Sequence, residues 1–456
     1  MRIAAFLAYA SRWRRACALA LALFTSACQP APESRPNVLI YIVDTLRSDS
    51  LGSYGNGRVS TPQIDAVARE GAVFEQASSP SSWTRASVAT LLTGVDPPAH
   101  GTVDRLDALP HDLQTLGERL RTHGYASGFV TSNPNVGSFF GFGRGFDDIV
   151  ELYGRREPGV VSVEELVARS AEVSSSALAW LDRAARPFFL VVLCVDPHSP
   201  YTPPEEFDRF AGVATAPDID GSQASLQRRD LTAAQRARIR SLYDGEIAYT
   251  DASFGALVEG LRERGVLDDT LLVITSDHGE EFWERGIRGH GRSLAEAAIR
   301  IPLIIRFPHS PRVVAGSRRI DPAGLDDLVP SVLDLLGLPR DETLPGRALF
   351  GAADPSPTFA SLSLEGRAIA AAREPRWKLV WDLTADSRAL YDLESDPLEQ
   401  SPVVVEASSQ AIAAENRLRQ TIARGLAERR ARGGAEVGPL PADIEVTLRA
   451  LGYLDE

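Results

Sequence analysis

Asn37-Val38-Leu39-Ile40-Tyr41-Ile42-Val43-Asp44 is an apolar run closed by a carboxylate, and Leu271-Leu272-Val273-Ile274-Thr275-Ser276-Asp277-His278-Gly279 repeats the design far downstream. Unbroken apolar runs are the mark of strands buried on both faces, as in parallel sheets, whose sites form beyond the carboxyl ends of the strands. Between the two runs lies Ser81-Ser82-Trp83-Thr84-Arg85-Ala86-Ser87-Val88-Ala89-Thr90-Leu91-Leu92-Thr93-Gly94. Small hydroxyl residues there lead into an apolar patch of helical character and offer a nucleophile.

Working outward, Thr61-Pro62 reads as a cap and first turn of a helix ending at Gly71. Ala86–Leu92 is a helix behind the hydroxyl residues, and Leu113–His123 is an amphipathic helix stopped by Gly124. Ser127–Thr131 is a short strand leading into the turn Ser132-Asn133-Pro134, and Phe188–Val195 is a buried strand ending at Asp196-Pro197-His198. Ala211–Asp230 is polar and turn-rich, a surface insertion or lid, and a long helix from Thr232 to Gly265 delivers the chain to Leu271. Proline and glycine punctuation from Pro345 to Pro357 marks a boundary. Beyond it, Trp377–Trp381 and Ala389–Leu393 read as antiparallel strands and Val405–Arg432 as an arginine- and alanine-rich helix.

The 456 residues suffice for a large domain and a smaller one, and a net charge of -13 without a basic stripe argues against nucleic acid as a partner. At the amino terminus Arg2, Arg12, Arg14 and Arg15 precede the apolar run Ala16–Phe24 and then Thr25-Ser26-Ala27-Cys28, a targeting pattern over residues 1–28. Small residues before Cys28, and a polar tether over 29–36, look like a bacterial lipoprotein signal, with membrane attachment through lipid on Cys28. Thr25 departs from that pattern, and ordinary signal-peptidase cleavage or an uncleaved anchor remain open; each implies export to the cell envelope. Cys194 is then the only other cysteine after processing, read as buried and inert.

A hard divalent cation takes carboxylate oxygens, with imidazole acceptable for manganese or zinc. Asp44, Asp277 and His278 supply that set from two strand ends. Each alone is equally a helix cap or a satisfied polar group; together, with Gly279 permitting a tight turn, they point to one divalent ion, Ca, Mn, Mg or Zn.

Val43-Asp44-Thr45-Leu46-Arg47-Ser48-Asp49 with Leu51-Gly52-Ser53-Tyr54-Gly55, Thr93-Gly94 with Pro97-Pro98-Ala99-His100-Gly101, and Asp196-Pro197-His198-Ser199-Pro200-Tyr201 form an ordered series. Thr275-Ser276-Asp277-His278-Gly279-Glu280 and Gly289-His290-Gly291 with Arg300-Ile301-Pro302-Leu303 continue it. This series resembles the sulfatase family of the alkaline phosphatase superfamily. Tyr391-Asp392-Leu393 with Asp396-Pro397-Leu398-Glu399 resembles the same family's carboxyl-terminal subdomain. The resemblance implies an α/β, alkaline-phosphatase-like fold: a mostly parallel central sheet with helices on both faces over residues 37–350, and a small C-terminal α+β subdomain over 356–456.

Sulfatases place a cysteine or serine ten residues before the glycine of the threonine-glycine pair and oxidise it to formylglycine; counting back from Gly94 reaches Thr84. A secondary alcohol cannot give that aldehyde. Val88 stands where the family has arginine, Thr45 where it has a second metal-binding aspartate, and Ser132 and Pro134 where it has a lysine and a histidine. Threonine is the nucleophile in phosphoglycerol and phosphoethanolamine transferases and nucleotide phosphodiesterases of the superfamily. The expectation is therefore a metal-dependent hydrolase of sulfuric or phosphoric esters, with Thr84 as nucleophile and fourth metal ligand favouring phosphoester chemistry. Its substrate is anionic, a sulfated or phosphorylated glycan, lipid head group or small molecule. Asn133 is a candidate to hold a substrate oxygen or simply closes a turn, and His198 and His290 to bind an oxygen or protonate the leaving group. His198 is otherwise a loop residue fixed by Asp196, while glycines on both sides suggest an exposed, tightly turned His290. Arg85 is placed to reach a substrate anion, Arg47 and Asp49 to pair with each other, and Ser81 or Ser82 to serve as a fallback nucleophile. The alternatives are a transferase of the phosphoglycerol or phosphoethanolamine type, or a non-catalytic relative binding anionic glycans or lipid head groups.

Overall fold

The computed structural model describes residues 35–154, 166–208, 216–228, 230–352, 354–427 and 435–454. The expected targeting segment, Cys28 and nearly all of the expected tether lie outside them, as does part of the Ala211–Asp230 insertion.

Eight strands form the central sheet: β1 (Asn37–Val43), β2 (Ala72–Ser78), β3 (Ala126–Thr131), β4 (Asp148–Glu151), β5 (Phe188–Cys194), β6 (Thr270–Thr275), β7 (Leu303–Arg306) and β8 (Ser317–Gly324). Their order across the sheet is β8-β2-β7-β6-β1-β5-β3-β4, and β7 alone runs against the others. Alternate residues of β1 feed two cores. Val38, Ile40 and Ile42 join one, while Leu39, Tyr41 and Val43 join the other. Burial on both faces is what the unbroken apolar run required.

Helices cover each face. On one side α1 (Pro62–Glu70), α4 (Ser170–Leu181) and the long α5 (Ala233–Glu263) bury Ile64, Trp180, Tyr243, Phe254 and Leu261. On the other, α2 (Thr84–Thr93) and α6 (Leu328–Leu335) bury Val88, Leu91, Leu328 and Val332. The amphipathic helix expected over Leu113–His123 is shorter, α3 (Leu116–Thr122). Thr115 caps it, accepting from Glu118 N at 3.1 Å while the Glu118 carboxylate accepts from Thr115 N at 2.8 Å. α2 begins two residues earlier than expected, so that Thr84 opens the helix.

The C-terminal part is an antiparallel meander of β9 (Thr358–Leu364), β10 (Arg367–Arg373), β11 (Trp377–Asp382) and β12 (Ser387–Asp392). The first two strands escape a reading by alternation because Ala and Ser dominate them. The expected helix over Val405–Arg432 is a short 3-10 turn followed by α7 (Ser409–Ala427), with the later residues outside the described ones. Ala411, Ala414, Leu418 and Ile422 of α7 pack on one face of the meander, while Ala360, Leu362 and Ala371 join the core of the main sheet. Finally α8 (Ala442–Ala450) returns the chain to that core through Ile444 and Leu448, and Leu451 and Tyr453 follow just beyond its end. No helix among the described residues is long and apolar enough to cross a membrane.

Candidate active site

Strand register builds the site. Ile42 pairs with Leu193 on one side and Thr275 on the other, and Leu193 pairs with Thr131. These four residues therefore lie in one row, and two residues past it Asn133, Asp44 and Asp277 emerge together at the carboxyl edge. Asp44, Asp277 and His278 are fully buried, and one ligand atom from each lies within 4.8 Å of the others. His278 Nε2 is 3.4 Å from Asp277 Oδ2 and 4.0 Å from Asp44 Oδ1. Both of those carboxylate oxygens are buried without a hydrogen-bond partner.

Two orphaned carboxylate oxygens facing an imidazole nitrogen fit a divalent cation better than any arrangement of protein hydrogen bonds. Burial and the neighbouring Asp277 push the Asp44 carboxyl well above its ordinary value, the cost of two acids side by side that a cation offsets. Burial also lowers His278, keeping its imidazole neutral, the form that binds metal. Its Nδ1 lies 2.9 Å from the Gly279 carbonyl, which turns Nε2 toward the acids. Thr84 closes the set with Oγ1 3.1 Å from that Nε2, at the amino-terminal end of α2 where the helix field favours anions.

Gly279 makes no tight turn; it serves close packing, since a side chain there would collide with the Ala297 carbonyl. Arg85 cannot reach a substrate anion: its guanidinium is buried, donating to the Asn135 carbonyl at 3.0 Å and side chain at 2.6 Å, and lies 3.6 Å from the Phe140 ring centre. Asp196 does not fix His198, since its carboxylate accepts from Ser170 N and Oγ, both at 2.7 Å. Instead His198 Nδ1 sits 2.6 Å from the Ser199 carbonyl, leaving Nε2 buried without a partner. Burial and the nearby His290 pull its pKa down to about 3. Ser82 Oγ is spent on the Ser293 carbonyl at 2.6 Å, while Ser81 Oγ is buried and unpaired.

His290 sits in the expected tight turn, with Gly289 and Gly291 at φ 96° and 69°, but it is not exposed. Its Nδ1 lies 3.1 Å from Glu280 Oε1, and the other oxygen of that buried carboxylate accepts from Tyr201 OH at 2.8 Å. Burial alone would raise Glu280; His290 and Tyr201 hold it down at about 2. Arg47 pairs with Asp49 at 2.6 Å as expected, and also with Glu284. Thr45 N donates to Asp277 Oδ1 at 3.2 Å, bracing one ligand. Cys194 is free and buried, its thiol pushed up to about 12 by burial.

Asn133 closes the turn expected of it, and its amide is spent on protein partners rather than left open to a substrate oxygen. Its Oδ1 accepts from Asn135 N at 2.8 Å, closing the turn, and its Nδ2 donates to Asp44 Oδ2 at 2.6 Å. That Nδ2 also donates to Tyr453 OH at 3.0 Å. Tyr453, near the carboxyl terminus, carries no sequence signal of a site role, and Glu280, although it closes the Thr275–Glu280 motif, carries none that marks it as the partner of His290. Above the cluster opens a cavity of about 560 Å³, lined by Trp83, His198, Arg288, His290, Arg292 and Tyr453 among others.

A family model described as Sulfatase matches residues 36–338. The choline-sulfatase of Rhizobium meliloti is 25% identical to the chain over 423 residues, covering 80% of this chain and 81% of that one. A protein solved in complex with its substrate D-glucosamine-2-N,6-O-disulfate superposes with a TM-score of 0.74 at 18% identity, covering 87% of this chain and 98% of the other. The phosphonate monoester hydrolase of Agrobacterium radiobacter gives 0.71 at 22% identity, covering 89% and 100%. These two likenesses concern the fold.

Proposed function

The chain belongs to the sulfatase family of ester hydrolases, and from that premise we propose that it is an exported, metal-dependent phosphoester hydrolase with Thr84 as its nucleophile. The observation that carries this reading is Thr84 Oγ1, 3.1 Å from His278 Nε2 and beside the unpaired oxygens of Asp44 and Asp277. Those four residues would hold one divalent cation, which lowers the pKa of the Thr84 hydroxyl and offsets charge on the transferred group.

Thr84 Oγ1, its proton released to solvent, attacks phosphorus as the bond from phosphorus to the ester oxygen breaks. Asn133 Nδ2, donating to Asp44 Oδ2 and to Tyr453 OH, braces that metal ligand, and His290, with Glu280 on Nδ1, has Nε2 to protonate the leaving oxygen. His198, neutral with its Nδ1 proton on the Ser199 carbonyl, presents Nε2 from the cavity wall as a hydrogen-bond acceptor. Water then cleaves the phosphothreonine. Phosphorus is favoured over sulfur because Thr84 cannot become formylglycine and because Val88, Ser132 and Pro134 replace basic residues of sulfatases. The envelope location rests on the targeting pattern ending at Cys28.

A parallel assay of aryl sulfates, phosphate monoesters and phosphate diesters, with metal content measured on the same sample, tests the reading. Phosphate esters should turn over faster, and Thr84→Ala should lose roughly 8 kcal/mol or more of transition-state stabilisation. Aryl sulfates turning over far faster, or full activity of Thr84→Ala, would make it wrong.

A further inference from the structure

We propose that Tyr453 is a catalytic residue: its phenolic hydroxyl donates a hydrogen bond to an oxygen of the group that Thr84 accepts. The inference rests on the reading of Thr84 as nucleophile and adds a residue beyond the stretch matched by the family model, which ends at residue 338.

Position is the first argument. Tyr453 OH lies 3.4 Å from Thr84 Oγ1, 3.4 Å from Asp44 Oδ2 and 3.0 Å from Asn133 Nδ2. The contact with Thr84 is longer than the roughly 2.7–2.8 Å of a full O–H···O bond. The phenol thus stands beside the nucleophile, and an oxygen carried by a group on Oγ1 comes within its reach. Asn133 Nδ2 donates to the phenol oxygen, which leaves the phenol's one hydrogen to turn toward that group.

Rigidity is the second. The ring is buried, edge-on to Trp83 with centroids 5.4 Å apart and 4.9 Å from the His198 ring. The Tyr453 carbonyl accepts from Arg105, and α8 anchors the segment through Ile444 and Leu448. A donor held this way costs little reorganisation when charge develops, the condition under which a single donor is worth about a hundredfold or more in kcat.

Chemical need is the third. Val88, Ser132 and Pro134 leave the surroundings of Thr84 without the basic side chains that the sulfatase pattern puts there. A phenol has one hydrogen to give and keeps it at neutral pH, so it binds the anion without a proton changing hands.

The test is Tyr453→Phe in the full-length protein, with Thr84→Ala alongside, on para-nitrophenyl and phenyl esters of phosphate and sulfate. The variant keeps the ring packing, so its melting temperature should match wild type. On whichever ester wild type hydrolyses, kcat should fall about a hundredfold while KM moves less than about threefold. Equal losses for both leaving groups are expected, because the hydrogen bond goes to the transferred group. Wild-type kcat in Tyr453→Phe beside an inactive Thr84→Ala would overturn this inference alone. A faster Tyr453→Phe would overturn it too and make the hydroxyl an obstruction. A loss confined to the phenyl ester would put it on the leaving oxygen instead. Full activity of Thr84→Ala would remove the nucleophile reading and this inference with it.

Discussion

Asn133 donates its side-chain amide to Asp44 Oδ2 at 2.6 Å, tying the carboxyl end of β3 to that of β1 across the intervening β5. The bond occupies one Asp44 oxygen and aims the other, unpaired, at Asp277 and His278. The ligand set is thereby braced by the protein before any cation arrives.

Cation binding should therefore stabilise the fold. At about a thousandfold excess over Kd a divalent ion should add about 4 kcal/mol to wild-type stability. Asp277→Ala should show no such gain and no activity. Metal analysis and melting curves with and without chelator check this, and retention of one bound ion by Asp277→Ala would contradict it.

Acid should destabilise the protein partly through His198. Folded, it stays neutral down to about 3; unfolded, it takes a proton near 6.5. Its contribution is fully present above about pH 6.5 and is lost as pH falls toward 3. The melting temperature of His198→Gln should accordingly fall less steeply than that of wild type across this window. Parallel curves for the two proteins would be the contrary result.

Glu280 orients His290 rather than touching substrate. Glu280→Gln should lower kcat by about tenfold or more through a mis-set imidazole, with bound metal unchanged. Single-turnover kinetics read it directly, and unaltered kcat would dismiss the role.

Lys378, the sole lysine of the chain, is fully buried, with Nζ 3.1 Å from Glu296 and 3.0 Å from Glu399. Lys378→Met strands buried carboxylates where the meander meets the main sheet and should cost about 3–5 kcal/mol in urea unfolding. A loss below about 1 kcal/mol would mean the cluster carries no net stability.

Mass spectrometry of the membrane fraction should find the mature chain starting at a lipid-modified Cys28. A cytoplasmic form retaining Met1 would contradict export.

Much of this architecture was legible in local chemistry. Asn37–Val43 and Leu271–Thr275 had to be strands buried on both faces, because no polar position interrupts them, and Asp44, Asp277 and His278 had to stand at their ends. Alternation failed for Thr358–Leu364 and Arg367–Arg373, where alanine and serine carry little hydrophobic contrast. Arg85 misled because adjacency to Thr84 along a helix says nothing about direction: successive side chains point to different sides, and its guanidinium turned inward to Asn135. The row Thr131, Leu193, Ile42 and Thr275 exists only because strand order is decided by packing of the whole sheet. That row is what brings Asn133 to Asp44. Tyr453 reaches Thr84 across 369 positions because α8 must bury Ile444 and Leu448 against a core built almost entirely from earlier sequence. Short-range pattern determined which residues could serve as ligands and nucleophile. Long-range burial, which no local pattern encodes, decided which of them meet.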